Sequence, residues 1–294
     1  FASEADELAH LLADNKIASL AELDNDILKE VLLELDTGAI DMDVTGFSDS
    51  ELEELMTQVH VGDDAPDAEP KIDQAAELQT KWGTKLGQIW ELGEHRIVCG
   101  DSTSAEVVGR LMGDEKISAI ITDPPYGINA NKQTLGTGKK QFHRGGDWDS
   151  HRPDISWLIK PERQIVIWGG NYFANNLPVS NDWLCWHKKN DNLSFSEFEL
   201  AWTNLGKNCR ILAHHWGGEE KEHPTQKPLS VVQWTMAMTA GNVFDPFLGS
   251  GTTLIACENL GRKCRAIELA PEYVAVAIER WHEVTGKHPE LLKV

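Results

Sequence analysis

At 294 residues the chain can hold one large α/β domain with an appendage, and its 41% hydrophobic content suffices for a sizeable core. No run approaches about 18 consecutive apolar residues, so a membrane span is not expected. A formal net charge of −20 argues against a nucleic-acid partner only until the charge is located: residues 1–80 carry 22 Asp/Glu against 3 Lys/Arg, and residues 81–294 carry 25 against 24. The acidity therefore belongs to the first 80 residues, and the neutral remainder can present a basic face.

The opening stretch, FASEADELAH, has neither the basic nor the apolar region of a signal peptide, and it lacks an initiator Met, as a piece of a longer protein would. Leu8, Leu11 and Leu12, then Ile27, Leu28, Val31, Leu32 and Leu35, recur at helical spacing. Ser48 and Glu51 form a capping box before a further short helix. Residues 61–80 are charged, Pro-containing and poor in aromatics, the composition of a linker. The expected organisation is an acidic helical segment over 1–60, a linker over 61–80 and a catalytic domain over 81–294.

From about residue 86 short β-branched or aromatic runs take over: 95–101, 117–123, 163–170, 182–188, 198–204, 241–246 and 263–269. Helical patterns at 105–112, 228–240, 252–260 and 271–285 lie between several of them. Such alternation predicts an α/β fold, a mainly parallel sheet with helices on both faces, whose ligands bind beyond the carboxyl ends of the strands. Asp101, Asp123, Asp245 and Glu268 all fall at or near such ends.

Two of those ends carry unusual turns. In TDPPYGI (122–128), Pro124 and Pro125 can continue neither a helix nor a central strand, so a carboxylate, a rigid turn and an aromatic ring are held at the lip of the sheet. In VFDPFLGSGTT (243–253), a strand reaches Asp245 and a Gly-rich turn opens an apolar helix; Gly249 and Gly251 let a ligand approach the backbone. The third glycine of a dinucleotide fingerprint is missing, and so is the Gly-Lys-Ser/Thr of a phosphate loop. Glu268 follows Gly251 by 17 residues, where an acid can grip a ribose diol.

DPFLGSGTT, DPPY and HPTQKP (223–228) together resemble the motifs of the amino-methylating DNA methyltransferases. The catalytic motif comes first and the cofactor motif last, as in that family's permuted beta group. The resemblance spans about residues 86–285 and implies a Rossmann-like S-adenosylmethionine-dependent methyltransferase sheet, circularly permuted in motif order. It implies Asp245, Phe247, Gly249, Ser250, Gly251 and Thr252 around the cofactor, Glu268 on its ribose, Asp101 beside its adenine, and Thr225 with Lys227 toward its methionine carboxylate. The product left behind would be S-adenosylhomocysteine. It also implies Asp123, Pro124, Pro125 and Tyr126 as the catalytic set. Residues 1–60 are similar to the helical segment that follows a ParB-like domain in some phage and bacterial methyltransferases.

An exocyclic amine is a poor nucleophile because its lone pair is delocalised into the ring. The Asp123 carboxylate and the Pro124 carbonyl can each accept one N–H and restore sp³ character, and the prolines fix that acceptor in advance. A base inside a duplex must be flipped out to reach them, and Tyr126 offers a face for it. The loop after the motif carries Lys132, Lys139, Lys140 and Arg144, and Lys188 and Lys189 follow a strand; all six are candidates for contacts to DNA phosphates. Five scattered cysteines without a CxxC, and His214 beside His215, make no metal site, and methyl transfer needs none.

The expected function is N6-adenine methylation of duplex DNA by a cytoplasmic, bacterial or phage-encoded enzyme free of membrane and metal. The alternatives are cytosine-N4 methylation on the same scaffold and a catalytically idle ParB-like DNA-binding module. Fewer than 100 residues separate DPPY from HPTQKP, which leaves little for target recognition. Loops, a second subunit in a homodimer or parts further upstream would have to supply it.

Overall fold

The computed structural model describes residues 65–113, 115–128, 149–189, 196–214 and 227–292. Residues 63–294 form one compact unit. The helical readings within 1–60 lie outside the described residues.

Ten strands make one sheet: β1 (Ile89–Leu92), β2 (His95–Cys99), β3 (Ala119–Thr122), β4 (Gln164–Trp168), β5 (Trp183–His187), β6 (Phe198–Thr203), β7 (Arg210–Ala213), β8 (Val243–Asp245), β9 (Cys264–Glu268) and β10 (Glu290–Leu291). Their order across the sheet is β10-β1-β2-β9-β8-β3-β4-β6-β5-β7. The five central strands, β2 through β4 in that order, run parallel. Antiparallel pairs flank this centre on both sides, with β1 between β2 and β10, and β6 between β4 and β5. The parallel strands are buried on both faces and read as near-continuous apolar runs, as in AIIT and QIVIW. All seven runs expected as strands form them. The outer strands β1, β7 and β10, of which β7 and β10 are the edges, lacked a distinct signal because they are short and mix polar with apolar residues.

Both faces are covered. On one, α2 (Ala105–Met112) packs Val107, Val108, Leu111 and Met112 against Val98, Ile120, Phe244 and Ile267, together with Leu158 and Ile165. Ser104 caps this helix by accepting from the Val107 N–H, the local reason it starts there. The other face carries α3 (Leu229–Ala237), α4 (Thr252–Asn259) and α5 (Pro271–Thr285), side by side. There Cys257 of α4 meets Cys264 of β9 and Met236 of α3. Helix α4 is buried nearly all round, from Thr252 to Cys257, because it lies between its neighbours and the sheet.

The stretch expected as a linker departs from expectation in its second half, which forms α1 (Ala75–Trp82). Leu78 of α1 is buried against Ala275 and Val276 of α5, beside Ile72, Ala75 and Trp82. Lys81 Nζ and Trp82 Nε1 both donate to Glu279 Oε2, at 2.6 and 2.7 Å. Composition misled here because one buried leucine and two anchoring side chains suffice to dock an otherwise polar helix.

Candidate active site

The carboxyl ends of β2, β9, β8 and β3 stand side by side, which brings Asp101, Glu268, Asp245 and Asp123 to one edge of the sheet. The cofactor half is built on backbone. After Asp245 the chain turns at Gly249 (φ +57°) and Gly251 (φ +90°) and enters α4. Gly251 is obligatory twice over: its φ is left-handed, and a Cβ there would lie 3.0 Å from the Ala277 Cβ of α5. A Cβ on Gly249 would meet nothing within 4 Å, so the turn faces open space there.

Glu268 accepts from the Gly249 N–H through Oε2 and from the Ala270 N–H through Oε1, both at 2.8 Å. Each oxygen keeps a second lone pair for an incoming diol. Burial raises the Glu268 carboxyl above its ordinary range, against those backbone donors. Asp245 accepts from Thr122 Oγ1 at 2.7 Å and from the Phe247 N–H at 3.1 Å. Burial still pushes its carboxyl up to about 6. Asp101 is exposed and accepts from the Thr103 N–H and hydroxyl, both at 2.8 Å.

The catalytic half is built on charge. Asp123 Oδ1 accepts from the Tyr126 hydroxyl at 2.5 Å, and Oδ2 accepts from Lys227 Nζ at 2.6 Å. Lys227 also reaches Glu199 Oε2 at 2.9 Å and the Tyr126 hydroxyl at 3.2 Å, and stands 5.0 Å above the Trp168 ring. Glu199, on β6, is held from its other oxygen by Lys188 Nζ at 2.8 Å. Burial alone would push the Glu199 carboxyl up, but Lys227 and Lys188 outweigh it and hold it at about 2. Lys227 behaves symmetrically: burial depresses it, and Asp123 with Glu199 carries it above the usual lysine value.

The Tyr126 ring stacks on Tyr172, centroids 4.7 Å apart and planes 15° from parallel. Behind it lies Gly169 (φ +66°), where a Cβ would sit 2.0 Å from the Tyr126 ring. The following Gly127 N–H is tied to the buried Asp149 at 2.7 Å.

Lys227, expected toward the methionine carboxylate, stands between Asp123 and Glu199. One expectation changes. Lys188, expected at a DNA phosphate, is buried, with its ammonium on Glu199 and 5.3 Å from the Trp186 ring. Lys189 is exposed. Thr225, Lys132, Lys139, Lys140 and Arg144 lie outside the described residues. Glu199, Gly169 and Tyr172 were not singled out in the sequence; they neighbour DPPY only through the pairing of β3, β4 and β6. Among the described residues no group of three or more His, Cys, Asp or Glu could hold a metal ion. None of the described helices is long and apolar enough to cross a membrane.

Residues 174–279 match the family model of a DNA methylase of the N6/N4 amino-methyltransferase type. The matched residues lie within the compact unit of residues 63–294. Residues 26–80 match the ParB-methyltransferase HTH domain, which agrees with the resemblance of the N-terminal segment. Among curated relatives, the type II methyltransferase M.HpaI of Haemophilus parainfluenzae is 24% identical over 64% of this chain and 74% of its own. M2.LlaDCHI of Lactococcus lactis subsp. cremoris is 27% identical over 56% of this chain and 82% of its own. Among solved structures, the M1.HpyAVI–SAM complex is 25% identical, covers 63% of this chain and 97% of that one, and has a TM-score of 0.42.

The methyl donor of these methylases is S-adenosylmethionine. The site described here suits it. Gly249 fronts open space, and the neighbouring ends of β2 and β9 offer two carboxylates, Asp101 and Glu268, with lone pairs to spare.

Proposed function

We propose that this methylase modifies the N6 amine of a flipped-out adenine in duplex DNA. The observation that carries the reading is Asp123, a carboxylate at the end of β3, joined to the cofactor strand through the Thr122–Asp245 hydrogen bond. Asp245, Phe247, Gly249, Ser250, Gly251, Thr252 and Glu268 would hold the cofactor, with Asp101 at the adenine end. When bound, S-adenosylmethionine supplies an electrophilic methyl group on a sulfonium.

The chain's own residues do the rest. Asp123 accepts one amine N–H and the Pro124 carbonyl the other, which restores nucleophilic character to the nitrogen before substrate reorganises anything. Asp123 then accepts the proton that the alkylated amine sheds. Both Asp123 oxygens are engaged in the resting site, by Tyr126 and by Lys227. The incoming amine therefore displaces the Lys227 ammonium, which keeps Glu199 as its counter-charge. Tyr126, braced by Tyr172 and Gly169, stacks against the extruded base and returns about 1–3 kcal/mol of the unstacking cost. Lys189 and the basic residues within 129–148 would meet phosphates.

Adenine is preferred over cytosine because a carboxylate stands at position 123, where the cytosine-N4 enzymes of this family more often carry serine. A carboxylate makes the stronger, charge-assisted hydrogen bond to an amine. Digesting DNA from cells that express the protein to nucleosides and weighing them tests the reading. N6-methyladenine is the expected product; methyl groups confined to cytosine would overturn the choice of base.

A further inference from the structure

Arg280 lies on the inner side of α5 and is only 1% exposed, so its charge needs a fixed counter-ion. It finds one in the arm before α1. Arg280 Nε and Nη2 each donate to a different oxygen of Asp67, both at 3.0 Å, in a two-pronged contact that sets the plane of the guanidinium. The remaining nitrogen, Nη1, points at the cofactor turn. It donates to the Ser250 carbonyl at 3.3 Å and to Thr252 Oγ1 at 3.1 Å, one residue on either side of Gly251. The arm is pinned nearby as well, since Asn259 of α4 donates to the Pro66 carbonyl at 2.9 Å.

We infer that Asp67 is a positioning residue for the cofactor turn, acting through Arg280. Gly251 has a left-handed φ and presses against Ala277, so the turn has one seat on α5. Arg280 holds both shoulders of that seat, and Asp67 holds Arg280. Without the carboxylate, a buried guanidinium turns toward other acceptors and the Ser250 carbonyl loses its donor. Asp67 falls within residues 26–80, the stretch that matches the ParB-methyltransferase HTH model, and lies in the same compact unit as the turn it serves. This rests on the reading that residues 249–252 hold S-adenosylmethionine.

Calorimetric titration with S-adenosylhomocysteine, paired with thermal melts of the ligand-free protein, tests it. Asp67→Asn keeps the shape and removes the charge; its dissociation constant should rise about tenfold, and Asp67→Glu should recover most of the loss. Thr252→Val should weaken binding less when Asn is already present at 67, because both changes act through one guanidinium. Amide exchange over 248–254 should quicken in Asp67→Asn. If Asp67→Asn melts lower yet binds with wild-type affinity, Asp67 merely fastens the arm and the inference falls. If wild-type protein itself fails to bind, the reading of the turn falls first and takes this with it.

Discussion

The two halves of the site are built from opposite materials. The cofactor half is a backbone device: two glycines with left-handed φ, a turn seated on a helix, and carboxylates that accept from main-chain N–H groups. The catalytic half is a side-chain device, in which Asp123, Lys227, Glu199 and Lys188 alternate in charge around Tyr126. A backbone cradle has its shape before any ligand arrives. A charge chain is closed on itself at rest and has to exchange a partner when substrate enters. Binding of the methyl donor and seating of the base should therefore fail separately under mutation.

The largest expected effect is at the carboxylate. Asp123→Ala should lower methyl transfer by about 10³-fold while donor affinity stays within a few-fold. Glu268→Ala should do the reverse, losing donor affinity first; equal loss of both properties in either variant would erase the distinction. Gly169→Ala comes next. Its Cβ cannot coexist with the Tyr126 ring, and a displacement of about 1 Å at that ring should cost about 100-fold in rate. Donor titration of this variant should look normal.

Glu199→Gln probes the charge chain more gently. With its second counter-ion gone, the Lys227 ammonium falls back on Asp123, and kcat/KM for DNA should drop about tenfold, the worth of one charged hydrogen bond. An unchanged rate would remove Glu199 from the site. The smallest effect is a pH dependence in the cradle. Burial raises Asp245 to about 6, above an unfolded value of about 3.9. The folded chain then holds that proton more tightly than the unfolded one, so this contribution is complete below the unfolded value and fades as pH climbs through the folded one. The ligand-free melting temperature should fall by about 3–5 °C between about pH 5 and about pH 7.5, and Asp245→Asn should lack that component.

The contrast also explains what could be read from the sequence. Asp245, Gly249, Gly251 and Glu268 lie within 24 residues of one another on one strand-turn-helix-strand unit, so spacing alone exposes them. The five central strands were legible because parallel, doubly buried strands are apolar without interruption. Glu199 was not, since a glutamate on a half-polar strand looks like any solvated residue until the pairing of β6 with β4 swings it toward Asp123. The burial of Lys188 and Lys227 was not legible for the same reason: what buries them is a partner charge on another element. Gly169 fell inside the run 163–170 expected as a strand, and its real constraint is a tyrosine ring 43 residues earlier.

The sheet order has a consequence for how the enzyme comes into being. Strands β8 and β9 are made after β1 to β7, yet they occupy the middle of the sheet, joining β2 on one side to β3 on the other. A nascent chain that stops before residue 241 holds two unconnected strips, one with β1 and β2, the other with the DPPY lip. These contacts of long sequence separation close late, as loop entropy demands. The site should therefore have no partly formed precursor on the ribosome: it closes only when β8 and β9 thread between β2 and β3.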